Sequence, residues 1–101
     1  MSQREDLIAS QNANVAEITL DIHEKSPWHY HTKIAEYVFC LRGHIEVHCG
    51  SAGLKICLAP GERYEIKPMV EHRVVNATSA VATYLLVQDG KHDFREISAS
   101  L

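Results

Sequence analysis

Ile18, Leu20 and Ile22 alternate with Thr19 and Asp21. That period of two marks a half-buried strand, whose successive side chains leave opposite faces. Glu36 to Leu41 puts Tyr37, Phe39 and Leu41 on one face and Val38 and Cys40 on the other, which predicts a strand covered on both sides. Arg42-Gly43 breaks it. Ile45, Val47 and Cys49 alternate again, Gly50-Ser51-Ala52-Gly53 supplies a hairpin turn, and Leu54, Ile56 and Leu58 return. Ala59-Pro60-Gly61-Glu62 reads as a turn before a strand carrying Tyr64 and Ile66. His72 to Val75, the apolar run Val81 to Val87, and Phe94 to Ile97 complete the set.

Short strands with turns about every ten residues, and no helical stripe, predict an all-β sandwich or closed barrel. Residues 1–14 are polar and aperiodic, so they read as an N-terminal arm outside the core, with order expected from near Val15. Residues 15–101 then form a single domain.

Composition supports one core and narrows the partners. Of 101 residues 46% are apolar, and ten Lys+Arg against thirteen Asp+Glu give a formal charge of −3 without a basic block. Nucleic acid is therefore not an expected partner. No apolar stretch reaches the ~18 residues of a membrane span, and the opening residues lack the core of a signal peptide, so a cytoplasmic protein is expected. Cys40, Cys49 and Cys57 form no Cys-x-x-Cys pair and are assigned to packing as reduced thiols. The sequon Asn76-Ala77-Thr78 is discounted for lack of a secretory signal.

His29 and His31 are two apart, so in an extended chain they share a face with Cα atoms about 6.7 Å apart and can converge on one ion. Neutral imidazole is the commonest ligand of transition metals. Glu36 follows His31 at an odd interval, so an unbroken strand sends it to the opposite face; a bend at Thr32-Lys33 is needed to bring it back, and spacing alone leaves this pair ambiguous. His44 and His48 are about 13 Å apart on a strand, too far to share an ion, and read as surface residues. Cys40 reads as packing, and His23 and His92 sit in charged contexts as solvated side chains. Trp28 and Tyr30 flank His29 and should point away from its face.

His29-x-His31, four residues, Glu36, six residues and Gly43 resemble the first signature of the cupin family, HxH(x)3-4E(x)6G. Gly61, His72 and Asn76 fall in register with the second, G(x)5PxG(x)2H(x)3N. Three positions depart from the pattern. His23 stands where the family has a leading glycine, Lys67 where it has proline, and Met69 where it has glycine. Because Met69 adopts a positive φ only at a cost, the turn before His72 is expected to take another course.

The resemblance implies a jelly-roll β-barrel, a double-stranded β-helix of RmlC-like type, in which His29, His31, Glu36 and His72 hold one divalent transition metal per chain, Fe, Mn, Ni or Zn. Four protein ligands leave coordination positions open, which implies a small-molecule metalloenzyme: a dioxygenase-like oxidative catalyst or a Lewis-acid isomerase or lyase. The alternative is a non-catalytic small-molecule-binding or sensor cupin. Val38, Met69, Tyr84 and Leu86 are candidates to line the pocket, with Tyr84 a candidate catalytic proton donor. A homodimer is expected.

Overall fold

The alternation is realised as ten strands within residues 2–50 and 53–97, the part of the chain that the computed structural model describes. They are β1 (Gln3–Ala9), β2 (Ala13–Leu20), β3 (His29–Tyr30), β4 (Ala35–Arg42), β5 (Ile45–Cys49), β6 (Leu54–Leu58), β7 (Arg63–Ile66), β8 (His72–Val75), β9 (Ala82–Asp89) and β10 (Arg95–Glu96). One sheet has the order β1-β2-β9-β4-β7 and the other β10-β3-β8-β5-β6. Every strand pairing in both is antiparallel. Two such sheets facing each other make the expected all-β jelly roll. No helix of the described residues is long and apolar enough to cross a membrane.

Directly paired residues on neighbouring strands share a face, so the register lists which side chains meet inside. Ala16, Leu86 and Val38 form one inward row, and Asn14, Gln88, Glu36 and Ile66 form the next. From the other sheet Ile45, Val47 and Val74 meet them, and the buried aliphatic side chains close a common core. Each such side chain contributes roughly 1.5–3 kcal/mol when removed from water.

The structure differs from the sequence reading in several places. Gln3–Ala9 is not an unpaired arm but a seven-residue edge strand along β2, so order starts well before Val15. A register shift between Asp6 and Ile8 breaks its period of two, which is why no alternation is visible there. All seven residues are exposed, so the strand does lie outside the core. Strand β2 ends at Leu20, leaving Ile22 exposed, and β4 is buried only on its Glu36, Val38 and Cys40 face. Cys40 and Cys49 are buried as expected, but Cys57 faces solvent because it falls on the outer side of the edge strand β6. Ser51 and Ala52 of the hairpin turn lie outside the described residues, as do 98–101.

Met69 takes φ 71° and His23 φ 59°. These are the two positions where the family pattern carries glycine and this chain does not, and among the described residues they are the two non-glycine residues in the left-handed region. The turn before His72 therefore keeps its course with a methionine in a glycine's conformation, at a cost of about 1 kcal/mol. The turn is held by Met69 N–H donating to the His31 carbonyl at 2.7 Å. The Met69 side chain itself points to solvent at 61% exposure, so it does not line the pocket. Val38 lies in the core rather than in the cavity wall.

Asn76 is 0% exposed. Its amide donates to the carbonyls of Asp21 (3.0 Å) and Ala80 (2.8 Å), and its Oδ1 accepts from Thr78. A side chain so consumed ties its own β8–β9 loop to the loop after β2 and leaves no nitrogen for a glycan.

Candidate metal centre

The pairing of β3 with β8 sets His29 directly opposite His72, on the inward face of one sheet. His31 lies just past the end of β3, and the chain bends at Thr32 and Lys33 before entering β4 on the other sheet. The odd interval between His31 and Glu36 is thereby resolved: the two residues belong to opposite sheets and face each other across the barrel. The candidate ligand atoms of His29, His31, Glu36 and His72 all lie within 4.8 Å of one another, and all four residues are buried.

The orientation of the rings follows from their outer contacts. His29 Nδ1 is 2.8 Å from the Pro27 carbonyl, His72 Nδ1 is 2.8 Å from the Val70 carbonyl, and His31 Nδ1 contacts the Asp93 carbonyl. A carbonyl only accepts, so each Nδ1 carries a hydrogen, and each ring, when neutral, presents an Nε2 lone pair inward. Nε2 of His31 and of His72 approach the Glu36 carboxylate, the latter at 3.3 Å, yet neither makes a hydrogen bond of proper geometry. Buried lone pairs facing a buried carboxylate are mutually repulsive unless a cation stands between them. This donor set fits a divalent transition metal, with imidazoles oriented from outside by carbonyls, as metal-binding histidines ordinarily are.

Electrostatics point the same way. Burial holds the His29 imidazolium off, lowering its pKa to about 4, so it is a neutral donor at physiological pH. Burial also opposes charge on His31, but the Glu36 carboxylate and the Asp93 carbonyl outweigh it and raise its pKa. Burial alone would raise the Glu36 pKa; His31 and His72 reverse this and keep it ionised well below the usual carboxylate range. In the absence of metal a proton thus takes part of the cation's place.

A cavity of about 140 Å³ is lined by the four candidates and by Tyr84 and Leu86, as the sequence suggested. Burial and the Glu36 charge push the Tyr84 hydroxyl far up, so it remains a neutral hydrogen-bond donor. Sequence reasoning missed other wall residues. Gln88 sits opposite Glu36 on the neighbouring strand and donates its amide to that carboxylate at 3.2 Å. His92 is exposed, as its charged context predicts, yet also lines the cavity, and Phe94 stacks on His29 with ring centroids 4.7 Å apart. Asp93 anchors this segment: its carboxylate accepts from Thr32 N–H and Oγ1 at 3.0 and 2.8 Å, which with Arg95 lowers its pKa to about 2. Arg4, from the presumed arm, completes the wall. No spacing motif links these residues to the ligands; only the sheet register does.

The other histidines stay outside. His23 and His44 are exposed, and His48 lies on the outer sheet face between Glu46 and Arg73. Trp28 is on that face too, beneath the Arg73 guanidinium at 4.8 Å, pointing away from the ligands as expected.

A family model described as the cupin domain matches residues 16–88. No curated protein matches the chain by sequence. Among solved structures, an uncharacterized conserved protein with a double-stranded beta-helix domain from Klebsiella pneumoniae subsp. pneumoniae MGH 78578 superposes with a TM-score of 0.85. It is 17% identical, over 96% of this chain and 84% of that one. KdgF from Halomonas sp. gives a TM-score of 0.79 at 17% identity, over 91% of this chain and 81% of that one. An oxalate oxidase gives 0.79 at 15% identity, over 95% of this chain but 55% of that one, so the chain spans about half its length. At these identities the likeness is one of fold.

Proposed function

The chain belongs to the cupin family, and on that premise we propose that it is a small-molecule metalloenzyme holding one divalent transition metal, Fe, Mn, Ni or Zn, through His29, His31, Glu36 and His72. The observation that carries the reading is the convergence of imidazole lone pairs and a carboxylate at the floor of a cavity. Four protein donors leave coordination positions for a substrate or water, the open arrangement of catalytic rather than structural sites. A metal so held supplies either dioxygen activation for oxidative cleavage or Lewis-acid polarisation of a carbonyl for isomerase or lyase chemistry. The chain's own residues bind and orient. Gln88 fixes the carboxylate, Leu86 excludes water, the exposed Phe94 stacks on His29, and Tyr84 offers a hydrogen bond rather than a proton, because its pKa lies too far above working pH for transfer.

The test is elemental analysis of untagged protein with the His31→Ala and His72→Ala variants, followed by oxygen-uptake and substrate-turnover screens of the loaded form. About one equivalent of metal per chain, lost in both variants, with turnover, is the expected result. Metal with ligand binding but no turnover would favour a sensor instead, and no metal after reconstitution would overturn the reading.

The proposal extends to a homodimer. Strand β1 is a sheet edge, and Leu7 and Ile8 on it are 52% and 55% exposed. An unpaired edge bearing apolar side chains favours association with a second copy.

A further inference from the structure

The cavity has charge beyond its candidate metal ligands. Arg4 pairs with Ile18, and Ile18 with Tyr84, so Arg4 lies on the inward face of β1 in the same row as Tyr84. Its charge is felt at the Tyr84 hydroxyl. Among the described residues that line the cavity, Glu36 is the only carboxylate. One carboxylate beside a divalent ion would leave a positive excess, and Arg4, partly offset by Asp6 outside the cavity, adds to it. A walled site with uncompensated positive charge concentrates anions.

Arg4 is suited to take one. Its Nε donates to Asp6 at 2.9 Å, in a pair exposed to solvent, while its Nη donors make no hydrogen bond with the described residues. A guanidinium carries five donors and binds carboxylates in a two-point fork. His92 lies beside it, lining both the cavity and the surface depression that Arg4 and Asp6 share.

A second, independent observation concerns Gln88. Its Nε2 donates to Glu36, which fixes the amide, since the reversed orientation would set oxygen against carboxylate. Its Oε1 is then buried without a partner, in a residue that lines the cavity. Buried acceptors are nearly always satisfied, and a ligand hydroxyl is the group that would answer this one.

We infer that the cavity takes a small hydroxycarboxylate, whose carboxylate is held by Arg4 and whose hydroxyl donates to Gln88 Oε1. The inference rests on the metalloenzyme reading for the ion's share of the charge. The cavity, at about 140 Å³, is small beside the roughly 300–1,000 Å³ of sites for drug-sized ligands, which restricts the acid to a few carbons.

Lactate, propionate and propane-1,2-diol share a three-carbon skeleton and differ in whether carboxylate and hydroxyl are both present. Calorimetric titration of each into the metal-loaded protein and its Arg4→Gln variant, with metal content measured on the same samples, tests the inference. Lactate should bind in the millimolar range or tighter, propionate about tenfold more weakly, and the diol not detectably, with Arg4→Gln weakening lactate about tenfold or more and Arg4→Lys restoring part. Equal lactate affinity in Arg4→Gln, a diol that binds as well as lactate, or no lactate binding at all would each overturn it. Arg4 is exposed, so its variants should fold and load metal like the parent. A protein that binds no metal yet discriminates the probes through Arg4 would keep this inference and sink the metal reading; a loaded protein blind to the differences would do the reverse.

Discussion

Gln88 and Glu36 face each other across β9 and β4, and the Gln88 amide donates to the Glu36 carboxylate at 3.2 Å inside the barrel. The contact holds one carboxylate oxygen in place. Gln88→Leu should therefore weaken metal affinity about tenfold while Glu36→Gln, which removes the anionic donor itself, weakens it a hundredfold or more. Competition against a chromogenic chelator reads both. Unchanged affinity in Glu36→Gln would remove that residue from the ligand set.

Metal binding should stabilise the fold, because the donors come together only when both sheets are in place. At a free metal concentration a hundred times the dissociation constant the gain is about 2.7 kcal/mol. For a chain of this size that is of order ten degrees or more in melting temperature. Thermal denaturation with and without chelator measures it, and His29→Ala or His72→Ala should abolish the increment.

The metal-free protein should lose stability as pH falls from 6.5 toward 4.5. His29 titrates at about 4 in the fold, against 6.5 as its ordinary value, so over this window the unfolded chain takes up a proton that the native chain refuses. His31, shifted upward, is protonated in both states below 6.5 and adds no slope there. Glu36, shifted downward, adds its own loss only below about 4.5. Melting temperatures across this range should fall in the parent and flatten in His29→Gln.

Met69 and His23 occupy left-handed backbone that glycine adopts freely. Met69→Gly and His23→Gly should each raise stability by about 0.5–1 kcal/mol, a shift of a few degrees. Met69→Gly should leave metal affinity alone, since the turn already has the required course. A drop in melting temperature would show that these side chains stabilise more than their backbone costs.

Sedimentation should show a dimer that Ile8→Asp converts to monomer, because a charge on the edge strand opposes pairing with a second copy. A monomer in the parent at micromolar concentration would exclude the dimer.

The strands from Ala35 to Cys49 were legible because their inward residues alternate without interruption. Strand β1 was not, since its bulge between Asp6 and Ile8 breaks the period and its side chains are polar. The four candidate ligands stood out through the two signatures, yet spacing could not bring Glu36 to His31, because it carries no information about a chain that changes sheets at Thr32-Lys33. Arg4, Gln88, His92 and Phe94 reach the cavity from strands and loops distant in sequence, so their proximity is a property of register alone. Met69 shows the converse: the missing glycine suggested an altered turn, and the surrounding hydrogen bonds impose the old one.

The division of the donors between two sheets also sets an order of assembly. His29, His31 and Glu36 leave the ribosome close together, whereas His72 arrives far later, after β5, β6 and β7. Glu36 lies on the sheet opposite His29, so these three cannot close a candidate site while the chain is still being made. The last imidazole fastens it only when β8 docks beside β3 and sets His72 opposite His29. A metal bound by all four donors would then report the closing of the barrel, and a chain stalled before β8 would lack the complete donor set.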